Sequence, residues 1–416
     1  MTMFRQSATA LTVSLALLAT GPAWATDLEF DLTGRVSLYG KRASLAATDL
    51  VPDPDASGYQ DALAGMSGVM GAKLSYGRLS LAAQFRAEAR DGQVETFTDE
   101  AFAELLLGES LFVFGGRRIL SYGQAYGLNP ADVLHDPLSE NRIFPSGQAR
   151  SDVEGTEMIG ADLLFDNGSS LSLIYAPDSE DPRLGIEEDF AMLRFSGLMA
   201  GGAGDYSVAL IDGNRPGAAL SFSWGIGDAS VIYMDATFRK GRDKQAISGT
   251  SPLGHLLLDT RDTDKVHPFV TLGFGYTFEN GVSLNAEYTR DAGGYSDSEW
   301  DRIVSALDTI TPTQSAVHGQ SLNQLNGLLN HYTLRQNYGF LRVSHDSLFG
   351  KPVSGELTVL HGLDDGSGSL GLRLEMPLGE QATLGLSATH KYGGENSEFT
   401  LRPEGDALAI YTTMKF

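Results

Sequence analysis

The side chains best placed to act on a solute are charged, and they fall into two sets. Arg35, Lys73, Arg86, Arg90, Arg117 and Arg118 make a basic set. Asp132, Asp136, Glu140, Asp152 and Glu154 make an acidic one, interrupted by Arg142 and Arg150. Facing each other across a water-filled passage, such sets would create a transverse field that sorts ions by sign. Spread over a rim, the same residues would be ordinary solvated charges. Other chemistry finds little support. The eight histidines show no metal-ligand spacing, and the sequence carries no G-x-S-x-G, phosphate-loop or dinucleotide pattern. Ser344-His345 and Thr389-His390 are neighbours, but neighbours on a strand point to opposite faces, which separates a hydroxyl from its base. With no cysteine there is no thiol nucleophile, thiolate metal site or disulfide. The sequence therefore predicts no enzyme, no cofactor and no metal site.

What must position these charges is a chain of 416 residues with 53 acidic and 30 basic side chains, a formal charge of −23. That balance argues against a nucleic-acid partner, which needs a basic face to displace counterions. Met1–Ala25 reads as an export signal, with Arg5 as its basic start, Ala8–Ala19 as its apolar core and Ala23-Trp24-Ala25 as the cleavage site. Removing it takes Arg5 and leaves residues 26–416 one unit more negative. Beyond Thr26 no apolar stretch reaches the roughly 20 residues that a spanning helix needs, so any membrane insertion must be by strands. The acidic run from Asp178 to Asp189 could bridge divalent cations, and reads more simply as solvated.

Polarity alternates with a period of two along most of the chain. Leu28, Phe30, Leu32, Val36 and Leu38 share one face, against Glu29, Asp31, Thr33, Arg35 and Ser37 on the other; Leu79, Leu81, Ala83, Phe85 and Ala87 similarly oppose Ser80, Gln84, Arg86 and Glu88. Charges at mid-strand on the polar face fit a wet lumen better than a sandwich interior, so the pattern predicts a transmembrane antiparallel β-barrel. Connection lengths support it. Tight turns such as Glu279-Asn280-Gly281 alternate with longer connections, and every long one (41–66, 120–154, 177–187, 240–263, 292–330, 392–405) falls after an odd-numbered strand. The count is about 18 strands from 28–40 and 67–76 to 331–344 and 406–416, with 16 as the fallback, in a single domain over 26–416.

The last strand places Leu408, Ile410, Thr412, Met414 and Phe416 on one face and ends on an aromatic. It resembles the closing strand of Gram-negative outer-membrane barrels, which implies insertion among outer-membrane lipids by the barrel-assembly machinery. The loop after the fifth strand reads Gly116-Arg117, then Tyr122-Gly123, then Asn129-Pro130-Ala131-Asp132-Val133-Leu134. It resembles a G-R, aromatic-G, N-P-x-D-x-L signature of little-characterised porins, whose aromatic is usually Trp. The resemblance covers Gly116 to Leu134 and, more loosely, Gly155 to Pro177. It implies a loop folded back into the lumen to narrow it, with Arg35, Lys73, Arg86, Arg117, Arg118, Asp132, Asp136 and Glu140 around the constriction. Asn-Pro should start a turn and Asp132 should accept backbone hydrogen bonds there. In 292–330, Ser298 is the expected N-cap of a helix carrying Trp300, Ile303, Val304, Leu307 and Ile310, placed as a lip or a plug.

The expected function is passive diffusion of small hydrophilic solutes through a bacterial outer-membrane porin, cation-preferring because the chain is so acidic. Two alternatives stay open. One is a channel for a specific or hydrophobic substrate, for which Tyr39 and Phe102 on the polar face are the hints. The other is a structural or adhesive barrel plugged by 292–330. Barrels of this size occur as monomers and as homotrimers.

Overall fold

The computed structural model describes residues 28–135, 137–138, 140–177, 189–260, 262–310 and 316–416. The export signal, Asp136 and all of the acidic run except Asp189 lie outside them. Eighteen strands form one sheet: β1 (Leu28–Leu45), β2 (Ala62–Tyr76), β3 (Leu79–Arg90), β4 (Gln93–Leu107), β5 (Leu111–Arg118), β6 (Thr156–Leu164), β7 (Ser170–Ala176), β8 (Phe190–Met199), β9 (Gly204–Asp212), β10 (Gly217–Ile226), β11 (Ser230–Lys240), β14 (Val266–Thr277), β15 (Ser283–Asp291), β16 (Asn337–His345), β17 (Ser354–Gly362), β18 (Gly368–Pro377), β19 (Ala382–Tyr392) and β20 (Glu404–Lys415). A short hairpin, β12 (Ile247–Thr250) and β13 (Leu256–Leu258), stands apart from it. Three α-helices, α1 (Ser146–Ser151), α2 (Asp297–Ile310) and α3 (Ala316–Leu328), and two 3-10 turns (Ala200–Gly202 and Leu348–Gly350) complete the described elements.

Each barrel strand pairs antiparallel with the next, and β20 returns to β1 with Ser37 opposite Thr413 and Tyr39 opposite Tyr411. Closure leaves no open edge, the condition for backbone to survive in hydrocarbon. The alternating apolar residues point outward: Leu28, Phe30, Leu32, Leu38, Phe85, Leu408, Ile410 and Met414 are all exposed. Such a continuous apolar belt around a closed barrel belongs in a bilayer. At the seam, Phe416 and Gly34 exchange backbone hydrogen bonds of 3.0 and 2.9 Å.

Inside, four aromatic rings among the described residues lie flat over a glycine directly opposite on the next strand. The pairs are Tyr39 over Gly65, Phe114 over Gly160, Tyr233 over Gly273 and Tyr411 over Gly385. A Cβ on these glycines would stand 2.5, 2.4, 2.0 and 2.0 Å from the ring. Glycine in these strands therefore serves close approach, not a turn.

Three strand boundaries differ from expectation by five residues or more. β1 and β2 run on to Leu45 and from Ala62, so the first loop shortens to 46–61. β16 starts at Asn337 and not near 331, because side chains already take the preceding amides: Leu334 and Arg335 donate to the Tyr338 hydroxyl (3.0 and 2.7 Å) and Gln336 to Asp364 (2.7 Å). The helix cap also moves. Ser296, not Ser298, holds it, with its N–H and hydroxyl both donating to Glu299 (2.8 and 2.9 Å).

Gly385→Val should cost about 1–3 kcal/mol, because the Tyr411 ring it would strike is buried and cannot move away. Gly68→Val, where nothing lies within 4 Å of the new Cβ, should cost far less. Denaturant unfolding of the two variants in detergent, followed by heat-modifiable gel mobility, reads the difference; equal midpoints would refute the packing argument.

Candidate functional site: the loop that crosses the lumen

Residues 119–155 leave β5 and cross the interior instead of standing outside it. The first limb runs along β11, β14 and β15. There Asp235 accepts the N–H groups of Gln124 and Ala125 (2.6 and 2.7 Å), and Glu287 accepts those of Tyr126 and Gly127 (2.7 and 3.0 Å). Four consecutive amides thus fall on two wall carboxylates. The Thr271 hydroxyl donates to the Leu128 carbonyl at 2.7 Å, and the Tyr332 hydroxyl to the Gly127 carbonyl at 2.9 Å. Tyr233, flattened over Gly273, donates its hydroxyl to Glu287 at 2.8 Å.

The loop then turns on its own polar groups. Asn129 donates to the Tyr122 carbonyl (2.7 Å), and Asp132 accepts from the Tyr122 amide (3.0 Å) and the Ser121 hydroxyl (2.6 Å). Gly123 sits at φ +93° against the Asn129 amide, where a Cβ would come within 2.3 Å of it. Burial pushes the Asp132 carboxyl above its usual range, against these two donors that pull it down. Leu134 and Tyr122 press onto an apolar patch of the inner wall, Phe114, Met158, Ile174, Met192, Ile211 and Ala219. That patch is an apolar lumen surface of the kind a hydrophobic substrate would need, yet the loop covers it and it forms a dry core.

The return limb reaches the opposite wall. Phe144 is edge-on to Tyr39 and Tyr411, with centroids 5.6 and 5.4 Å away. Arg373 of β18 donates to the carbonyls of Arg142 and Phe144 (3.2 and 2.7 Å). Gln148 of α1 donates to the Ser37 hydroxyl (3.1 Å), and Asp152 pairs with Arg35.

The charged residues read from the sequence are mostly neutralised nearby. Arg86 is buried, bonded to Asp99 at 3.0 Å, paired with Glu88 and stacked 4.1 Å from the Phe97 ring. Arg117 bonds Glu154 and Glu157 (3.1 and 2.9 Å), and Arg118 bonds Glu104 (3.3 Å) between the Phe102 and Phe114 rings. Glu140 meets His135 at 2.8 Å and Arg150 at 3.6 Å, while Lys73 is exposed near the short turn after β2. Of the seven described candidate constriction residues, Arg86 and Glu140 border the main cavity, about 800 Å³ beside the loop. Sequence reading missed the cationic wall across that cavity. Arg342 and Arg373 grip Glu356 from both sides (2.7 and 3.1 Å), and Lys41 bonds Glu404 (2.7 Å) beside Lys391. Their signal was present: each is a charge at the inward parity of its strand.

Above, the outer loops share one apolar core. Trp300, Ile303, Leu307 and Ile310 of α2 pack with Leu325, Leu329, Leu50, Val51, Ile247 and Leu401. Loops from β1–β2, β11–β14, β15–β16 and β19–β20 thus meet in a roof over that arc of the rim. Glu398 ties its base, accepting from the Leu334 amide (2.9 Å) and the Tyr338 hydroxyl (2.8 Å). Burial raises its pKa to about 7, with nearby Asp365 adding to the rise and the two donors opposing it. Among the described residues no group of His, Asp and Glu could hold a metal ion.

No family model and no curated protein matches the sequence. Among solved structures the chain is similar to Pseudomonas aeruginosa OccK11 (OpdR), at TM-score 0.56 and 11% identity over 93% of this chain and 96% of that one. It is similar to OccD3 (OpdP) of the same organism at 0.56 and 12% over 94% and 92%, and to OccK5 (OpdH) at 0.54 and 9% over 95% and 99%. The likeness to these outer-membrane channels is one of fold.

Removing Asp235 should free the amides of Gln124 and Ala125, a local loss of about 1–3 kcal/mol. In Asp235→Ala, hydrogen exchange should quicken at 124–125 and stay unchanged at 131–134; uniform exchange would disprove the anchoring. A second test uses pH. Folding raises the Glu398 pKa from 4.5 to about 7, so its contribution is fully present below pH 4.5 and lost as pH rises through 7. Exchange at Leu334 and Arg335, corrected for the intrinsic rate, should therefore quicken between pH 5 and 8, and Glu398→Gln should flatten the dependence.

Proposed function

We propose that this protein is an outer-membrane porin for passive diffusion of small hydrophilic solutes, with 119–155 setting the size limit. The observation that carries this reading is the loop itself, bonded to β11–β15 on one side and to β18, β20 and β1 on the other. Beside it lies a cavity of about 800 Å³ lined by charged residues. A structural barrel would gain nothing from a polar, charged cavity, and the outer roof packs on other loops, not down the bore.

The sign of ion preference has two supports that oppose each other. The acidic chain and its outer loops favour cations at the mouth, the preference expected from the net charge. The cavity wall favours anions. Among the described lining residues, Lys41, Arg86, Arg90, Arg142, Arg342, Arg373 and Lys391 outnumber Glu88, Glu140, Glu154, Glu356 and Glu404. Selectivity is set by charges at the narrowest point, where low-dielectric walls focus their field, so the wall carries more weight.

Planar-bilayer recordings in a KCl gradient test both levels. Stepwise conductance is expected, and its absence would eliminate the porin. An anion-signed reversal potential that Arg373→Glu shifts toward cations supports control by the wall; a cation sign unaffected by that change supports control by the mouth. Liposome swelling with graded sugars should show a sharp size cut-off that Asp235→Ala raises.

A further inference from the structure

Behind the crossing loop, away from the main passage, lies a second cavity of about 260 Å³. Residues of the crossing loop from Asn129 to His135, with Pro137 and Glu140, form one side, and the outer ends of β11, β14 and β15 form the other. Tyr126, Gly127 and Tyr332 border both cavities, and the Tyr332 hydroxyl on the Gly127 carbonyl (2.9 Å) closes the partition. Glu140 and Ser146 also border both, so the chamber adjoins the main cavity across the loop.

Two arginines line it in an unusual mutual arrangement. Arg239 donates its Nε–H to the Arg215 carbonyl at 2.7 Å, and Arg215 donates its Nε–H to the Gly241 carbonyl at 3.2 Å. Each guanidinium is thereby anchored through its Nε to a backbone carbonyl, and both arginines line the chamber. One carboxylate, Asp243, stands near, 3.9 Å from Arg215. That carboxylate also faces Lys244 at 3.4 Å, and Lys244 reaches Asp291 at 2.9 Å. Asp291 is further occupied by Thr333 and the Gly293 amide (2.9 and 2.8 Å). Of the remaining carboxylates on this cavity, Asp132 serves Ser121 and Tyr122, and Glu140 serves His135 and Arg150. Arg215 and Lys244 thus pair with Asp243 and Asp291, and among the described residues Arg239 makes no ion pair. An enclosed arginine without a paired carboxylate calls for a counter-charge.

We propose that this chamber binds a small oxyanion between the Arg215 and Arg239 guanidinium groups. Paired N–H donors on a rigid planar fork match the oxygen spacing of a phosphate or carboxylate group. The anion supplies the missing charge and braces the back of the crossing loop at Asn129–Pro130. This inference stands independently of the ion preference of the main passage.

Titration calorimetry of the full detergent-solubilised chain with inorganic phosphate, in a chloride buffer, tests it. One saturable site per chain is expected, weakened ~10-fold or more in Arg239→Gln, as losing a charged hydrogen-bond partner implies. Arg342→Gln, whose guanidinium lies on the main passage, should still bind phosphate. Acetate competing for the same heat would mark a general oxyanion site, and no competition a phosphate-selective one; either supports the proposal. Absence of saturable heat in the wild-type chain overturns it, as does binding lost in Arg342→Gln but kept in Arg239→Gln. Should Arg239→Gln fail the gel-mobility test of folding, Arg239→Lys keeps the charge and loses the fork, and it should also weaken binding.

Discussion

A peptide group in hydrocarbon must find a partner within the protein, and the rest of this structure follows from that requirement. It forces the sheet to close, Gly34 onto Phe416 and Tyr39 beside Tyr411. Closure creates an interior, and a loop entering that interior meets the same requirement again. The crossing loop has no strand partner for Gln124–Gly127, so the wall presents Asp235 and Glu287 to their amides.

The lumen glycines are the second layer of the same solution. Each opens room for an aromatic ring to lie along the wall, and each of those rings serves the loop. Tyr233 over Gly273 steadies Glu287; Tyr39 and Tyr411 clasp Phe144; Phe114 over Gly160 belongs to the apolar patch under Leu134. Glycine placement thus reaches the pore through three links: an absent Cβ, a flattened ring and an anchored loop.

Charge is divided by task. The acids beneath the loop take amides, the arginines of β3–β5 are tied to neighbouring carboxylates, and the cations of β1, β16, β18 and β19 face the passage. A transverse arrangement was a reasonable expectation, yet the face that borders the cavity is built from residues far along the chain from the loop. Arg342 and Arg373 carried the right parity for it. Both pair with Glu356, and nothing local in the sequence distinguished them from the paired arginines that do not border the cavity, such as Arg117 and Arg118.

The sequence by itself determined the barrel. A period of two is a local property of each strand, and connection lengths count strands without any knowledge of packing. It also carried the loop's own turn, because Asn129 and Asp132 satisfy backbone within about ten residues of themselves. Only the tertiary structure decided which wall the loop would lean on and which arginines would remain open to the passage. Those outcomes rest on contacts such as Gln124 to Asp235 and Arg35 to Asp152, more than a hundred residues apart in the chain. They come together only once closure has set every strand's neighbours, and no local pattern encodes that distance.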